Sequence, residues 1–172
     1  MIHAAVLLGV IRHTTIAYEI SEKISQFSDI EMTVISYNDS SVADLEVEID
    51  TDAVNVKTLN ASGRLDLSAI SKLHSFLRDR HLDLLHTHHN FVGSLGCILA
   101  PPNLPIIDTE HANHSDHYSI TQNIVNSITL RRANQVVANS QATLDSLYPH
   151  ERMLVSPDQQ RVIHNGVNVG RI

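Results

Sequence analysis

The chain has 172 residues, 42% of them hydrophobic, which is enough for one ordinary domain with a substantial core. Its formal net charge of −7 argues against a protein that grips nucleic acid or an anionic membrane through a broad basic surface. The one cysteine, Cys97, excludes an internal disulfide and fits a reducing, cytoplasmic setting.

The opening MIHAAVLLGVI has no basic leader and is too short to cross a bilayer, so it reads as a first strand over 4–11. A helix is expected over 15–27 and strands over 31–37 and 54–59, separated by an acidic connecting excursion over 38–53. The next helix, 66–80, carries Leu67, Ile70, Leu73 and Leu77 at helical spacing, with Asp66 at its start and Arg78 and Arg80 at its end, as the helix dipole prefers. A strand over 82–88 and a helix over 91–100 follow, and PPNLP at 101–105 ends that helix. The remainder reads as strand 104–110, helix 119–133, strand 135–140, helix 140–148 and strand 161–166. Short, nearly continuous apolar strands alternating with helices predict a doubly wound, mainly parallel α/β sheet covered on both faces. Ligands of such a sheet bind beyond the carboxyl ends of its strands.

Histidines gather at those ends. His13 follows the first strand, His86, His88 and His89 form HTHH, and His111, His114 and His117 follow the strand ending in Glu110. His86 and His88, two apart, face the same side of a strand, a spacing that zinc sites use. No complete metal-hydrolase motif accompanies them: EHANHSDH is not HExxH, and HTHHN lacks a closing aspartate. Each of His3, His74, His81 and His150 reads as a surface or helix-end residue. Cys97 lies within an apolar helix and there is no GxSxG turn, which disfavours a covalent triad. Neither GxGxxG nor a P-loop follows the first strand, so a dinucleotide cofactor is not expected. Thr14 and Thr15 suit a helix cap that could face an anion. Asp108 and Glu110 flank Thr109 at a strand end, where a carboxylate can bind hydroxyls, act as a base or stand in solvent.

Four stretches in order, LDLLHTHHNFVGSLGCILA, LPIIDTEHANH, ANQVVANSQATLDSL and RVIHNGVNV, resemble the N-terminal half of GT-B nucleotide-sugar glycosyltransferases of the retaining family four. The counterparts of the family's motifs are Asp83 to His88, Thr109 to His111, Ala133 to Ser140 and Val162 to Asn168. Asn134 and Asn168 stand where the family usually has aspartate, and the first loop lacks its usual glycine pair, whose place His13 and Thr14 would take.

The resemblance implies a Rossmann-like acceptor-side domain over 1–168, the start of an interdomain linker at 169–172, and a separate donor-binding C-terminal domain. It implies transfer of a sugar from a nucleotide diphosphate sugar to a glycan, lipid or small-molecule acceptor, with no cofactor and no bound metal. His111 would be the catalytic residue facing the donor sugar. His86, His88 and Asn90 would shape the acceptor side, with Glu110, Asn139 and Ser140 as further hydroxyl-binding residues. The 172-residue chain alone would be inactive and prone to self-association where the partner domain should pack, and lipid acceptors would bring the enzyme to the inner face of the cell membrane. Two other readings stay open: a stand-alone binding module of the same fold, and a metal-dependent hydrolase built on the histidine cluster.

Overall fold

A computed structural model describes residues 1–12, 16–27, 29–45, 50, 52–79, 82–88, 91–114 and 119–165. Seven strands form one sheet in the order β3-β2-β1-β4-β5-β6-β7, with every neighbouring pair parallel. They are β1 (Ile2–Leu8), β2 (Ile30–Ser36), β3 (Asn55–Thr58), β4 (Leu84–His88), β5 (Ile106–Glu110), β6 (Gln135–Ala138) and β7 (Gln160–Val162). Among the described residues the α-helices are α1 (Ile16–Phe27), α2 (Leu67–Asp79), α3 (Phe91–Leu99), α4 (Ile120–Arg132), α5 (Gln141–Asp145) and α6 (Pro149–Arg152). The expected doubly wound sheet is present, and the chain reverses its winding between β1 and β4. No described helix is long and apolar enough to cross a membrane.

Both faces of the sheet are covered because alternate side chains of one strand feed two separate cores. Ala5 and Leu7 of β1 pack with Leu73 and Leu77 of α2 and Leu95 of α3. Ala4, Val6 and Leu8 pack with Ala17 and Tyr18 of α1. A third cluster joins Leu130 of α4 to Val136, Leu147 and Val155. Asp66 accepts the backbone N–H groups of Ser68 and Ala69 at the start of α2, and Ser119 caps α4 with a reciprocal bond from Gln122. These are the helix starts that the residue types demand.

Three expected elements differ. The excursion over 38–53 holds a 3-10 turn at Val42–Asp44 among its described residues. The helix expected over 140–148 is only α5, which ends at Asp145, and the further short helix α6 opens at Pro149, which holds the preceding Tyr148 extended (φ −64, ψ 157), as proline does to its predecessor. The last strand is shorter than expected, ending at Val162.

Glycines set how closely α3 approaches the sheet. A Cβ at Gly93 would stand 2.7 Å from the His88 carbonyl oxygen and 3.3 Å from Thr87 Cβ, and one at Gly96 would collide with a Leu7 methyl. The carbonyl belongs to β4 and cannot yield without shifting the strand. Gly93→Ala is therefore expected to cost about 1–3 kcal/mol, in the range of other overpacked cores, read as a lower midpoint in thermal unfolding. An unchanged midpoint would show that α3 is free to move outward.

Candidate functional site

The carboxyl ends of β4 and β5 bring three of the expected histidines together. Parallel register sets His86 opposite Ile107 and His88 opposite Thr109. His86 Nε2 is 2.8 Å from Thr109 Oγ1, the His86 and His88 ring centroids are 4.5 Å apart, and His88 Nδ1 is 2.7 Å from His111 Nε2. His111 is exposed just beyond β5, whereas His88 is only 6% exposed. Burial, and then the charge of His111, push the His86 imidazole down to about 4. Burial likewise pushes His88 well below the ordinary range, with His86 and His111 adding to it. Both are neutral at pH 7. This is a buried, uncharged wall carrying one exposed imidazole. Among the described residues, no group of three or more His, Cys, Asp or Glu side chains is placed to hold a metal ion.

The next strand end supports the same residue. Asn139 Nδ2 donates to the His111 carbonyl oxygen at 3.0 Å, and Asn139 Oδ1 accepts from Thr143 at 2.7 Å. Ser140 caps α5 by accepting the Thr143 N–H at 3.1 Å. Asn139 thus holds the backbone at His111, and Ser140 serves the start of α5. His13, Thr14 and Asn90, also expected here, lie outside the described residues, as do His89 and His117.

Glu110 and His114 depart from the expectation of groups open to the crevice. Glu110 is 1% exposed and His114 fully buried. The strand pleat is the reason: Thr109 points to the face that carries His86 and His88, so Glu110 points to the opposite one, under α4. There Asn126 Nδ2 donates to Glu110 Oε1 at 3.0 Å. His114 lies between two carboxylates, with Nε2 3.2 Å from Glu110 Oε2 and Nδ1 3.0 Å from Glu151 Oε2. Burial alone would lower the His114 pKa, but the bonds and charges of Glu110 and Glu151 outweigh it and raise it to about 9. Burial opposes ionisation of Glu151 too, yet His114 and the Tyr148 N–H hold it below its usual value. Asp108, not solvated but completely buried, accepts a 2.7 Å bond from Thr87 Oγ1 within the core. Burial, and then the neighbouring Glu110 charge, push its carboxyl well above the ordinary carboxylate range. Cys97 is buried in α3 as expected, its thiol pushed by burial to about 12.

A cavity of about 550 Å³ opens where the winding reverses, beside Gly9 after β1, Tyr37 and Asn38 after β2, and the first turns of α3 and α4. Its walls are Leu65, Phe91, Val92 and Val125, with Asn38, Thr121, Gln122 and Asn126 as polar groups. Among the described residues, Arg64 is the only charged side chain in that lining, its guanidinium 6.0 Å from the Phe91 ring centroid. The one sequence signal for it is Gly9, which follows the strand at which the sheet switches direction, and such switch points hold ligands.

A family model described as Glycosyltransferase Family 4 matches residues 14–171. The chain belongs to that glycosyltransferase family. No curated protein sequence matches it. Solved structures share its fold at low identity. HepE of Anabaena, in complex with UDP and glucose, is 16% identical with a TM-score of 0.71, over 99% of this chain and 46% of that one. The UDP-GlcNAc 2-epimerase of Methanocaldococcus jannaschii is 12% identical with a TM-score of 0.69, over 96% and 46%. MurG of Acinetobacter baumannii is 13% identical with a TM-score of 0.61, over 98% and 47%. The family-4 chain thus spans about half the length of these proteins. The family resemblance read from the four motifs is borne out, and so is the GT-B half-fold.

Proposed function

We propose that the chain is the acceptor-side half of an enzyme that moves a sugar from a nucleoside diphosphate sugar to an acceptor hydroxyl with retention of anomeric configuration. The observation that carries this reading is the exposed His111 at the carboxyl end of β5, held against the neutral wall of His88. An imidazole so placed can hydrogen-bond a hydroxyl of the donor sugar where charge develops. The bond from the anomeric carbon to the diphosphate breaks, the acceptor oxygen replaces it on the same face, and the acceptor proton leaves with the diphosphate. Groups that neutralise the diphosphate would come from a donor-binding domain, so this half alone is inactive. The complex of the structurally similar HepE with UDP and glucose supports a UDP-sugar as the donor.

The cavity is the acceptor pocket in this account. Its apolar walls suit an acceptor with a hydrocarbon or sugar-ring face, Asn38, Thr121 and Gln122 suit hydroxyls, and Arg64 suits a phosphate or carboxylate. Leu65, on the lining and 73% exposed, supports a lipid-bearing acceptor presented at a membrane surface. The test uses protein that carries both halves, with a panel of nucleoside diphosphate sugars and phosphorylated or lipid acceptors. Acceptor-dependent release of nucleoside diphosphate is the expected result, and its absence with every pair would sink the proposal.

A further inference from the structure

The bond between His88 and His111 has a direction that the surroundings decide. The two ring planes lie 7° from parallel with centroids 5.0 Å apart, and Nδ1 of one is 2.7 Å from Nε2 of the other. The imidazoles therefore meet edge to edge, and a single N–H lies between them. His88, buried and neutral, carries one proton. Its second nitrogen, Nε2, is buried and has no hydrogen-bond partner among the described residues. A proton on Nε2 would be an orphaned buried donor, whereas a proton on Nδ1 leaves only a bare lone pair there, and unsatisfied acceptors are the better tolerated of the two.

We propose that His88 Nδ1–H donates to His111 Nε2 and so fixes neutral His111 as its Nδ1–H tautomer. His88 is then a positioning residue: it decides which nitrogen of His111 carries the proton, as a hydrogen bond on one ring nitrogen does generally. The consequence rests on the reading of His111 as the group that meets substrate. In that tautomer His111 Nδ1 is a hydrogen-bond donor with no lone pair, which suits it to hold an oxygen and not to remove a proton. His86 does not compete for this bond, since its Nε2 lies on Thr109.

The tautomer is measurable without any activity. Long-range 1H–15N correlation spectra of the 172-residue protein, labelled at histidine nitrogen and recorded near pH ~8, above the ordinary imidazole range, separate protonated from bare ring nitrogens. The expected pattern is a protonated Nδ1 and bare Nε2 for both His88 and His111. His88→Ala removes the donor to Nε2 and should raise the share of His111 protonated at Nε2. His88→Asn, whose amide N–H reaches the same place as Nδ1, should restore the Nδ1–H form. A wild-type His111 protonated at Nε2, or a tautomer that His88→Ala does not change, would overturn the proposal. If the enzyme reading holds, His88→Ala in protein with both halves also lowers kcat about 10- to 100-fold, as misplaced catalytic groups do, with donor KM nearly constant and His88→Asn partly rescued. Failure of the activity assay alone would count against the proposed function, while the spectra would still decide the tautomer.

Discussion

His114→Ala is expected to destabilise the protein by about 3–5 kcal/mol, the cost of leaving a buried carboxylate without its counter-charge. For a chain of this length that is a fall of roughly 6–20 °C in Tm. The size follows from what His114 joins. Its ring bridges Glu110 at the end of β5 and Glu151 in α6, and its backbone N–H donates to Ser146 Oγ at 3.0 Å. Removing the imidazole leaves Glu110 and Glu151 facing one another in the core. The pH dependence carries the same signature with a definite sign. His114 has its folded pKa raised from 6.5 to about 9. Its stabilisation is therefore fully present below pH 6.5 and is lost as pH rises through about 9. The shift corresponds to at most about 3 kcal/mol. Glu151, with its pKa lowered, acts oppositely: its contribution is present above the ordinary carboxylate range and lost as pH falls. Denaturant melts from neutral to alkaline pH should show the wild type losing stability where His114→Gln shows a flatter limb. Glu151→Gln, which removes charge but keeps an acceptor, should move that limb to lower pH. Identical alkaline limbs in all three proteins would show that the imidazole is not the charged partner.

His111→Ala has the opposite profile. The side chain is exposed, so the loss of stability should be no more than the cost of leaving the buried His88 Nδ1–H unbonded, about 1–3 kcal/mol, below that of His114→Ala. In protein with both halves, kcat should fall about 100- to 1000-fold, the usual loss when one preorganised donor is removed from a transition state. Steady-state kinetics with a saturating donor read it directly. A variant with unchanged kcat would remove His111 from the chemistry, even though the fold around it is kept by Asn139.

The parallel sheet was legible because each strand is a short, continuous apolar run between helical patterns, and the two-residue period that feeds Leu7 to one core and Val6 to the other follows from the pleat alone. His111 was legible as a histidine directly after a strand, and Cys97 as a small hydrophobe. Glu110 and His114 were misplaced for one reason: density of polar residues at a strand end says nothing of which face each takes, and their partners Asn126 and Glu151 come from segments with no sequence signal linking them to β5. The helix before Pro149 was read three residues too long because Leu147 and Tyr148 continue its apolar pattern, and the four-residue α6 is too short to show a period of its own. The cavity was hidden because its lining comes from five separate segments, each contributing one to four ordinary residues.

The most direct measurement is transfer of an isotopically labelled sugar from nucleoside diphosphate sugars to acceptors by protein containing both halves, followed by mass spectrometry and by NMR of the new anomeric centre. The proposed function predicts an acceptor heavier by one sugar, with the anomeric configuration of the donor kept and the yield collapsing in His111→Ala. Donor consumed without an acceptor adduct, or an adduct of inverted configuration formed equally well by His111→Ala, would contradict it.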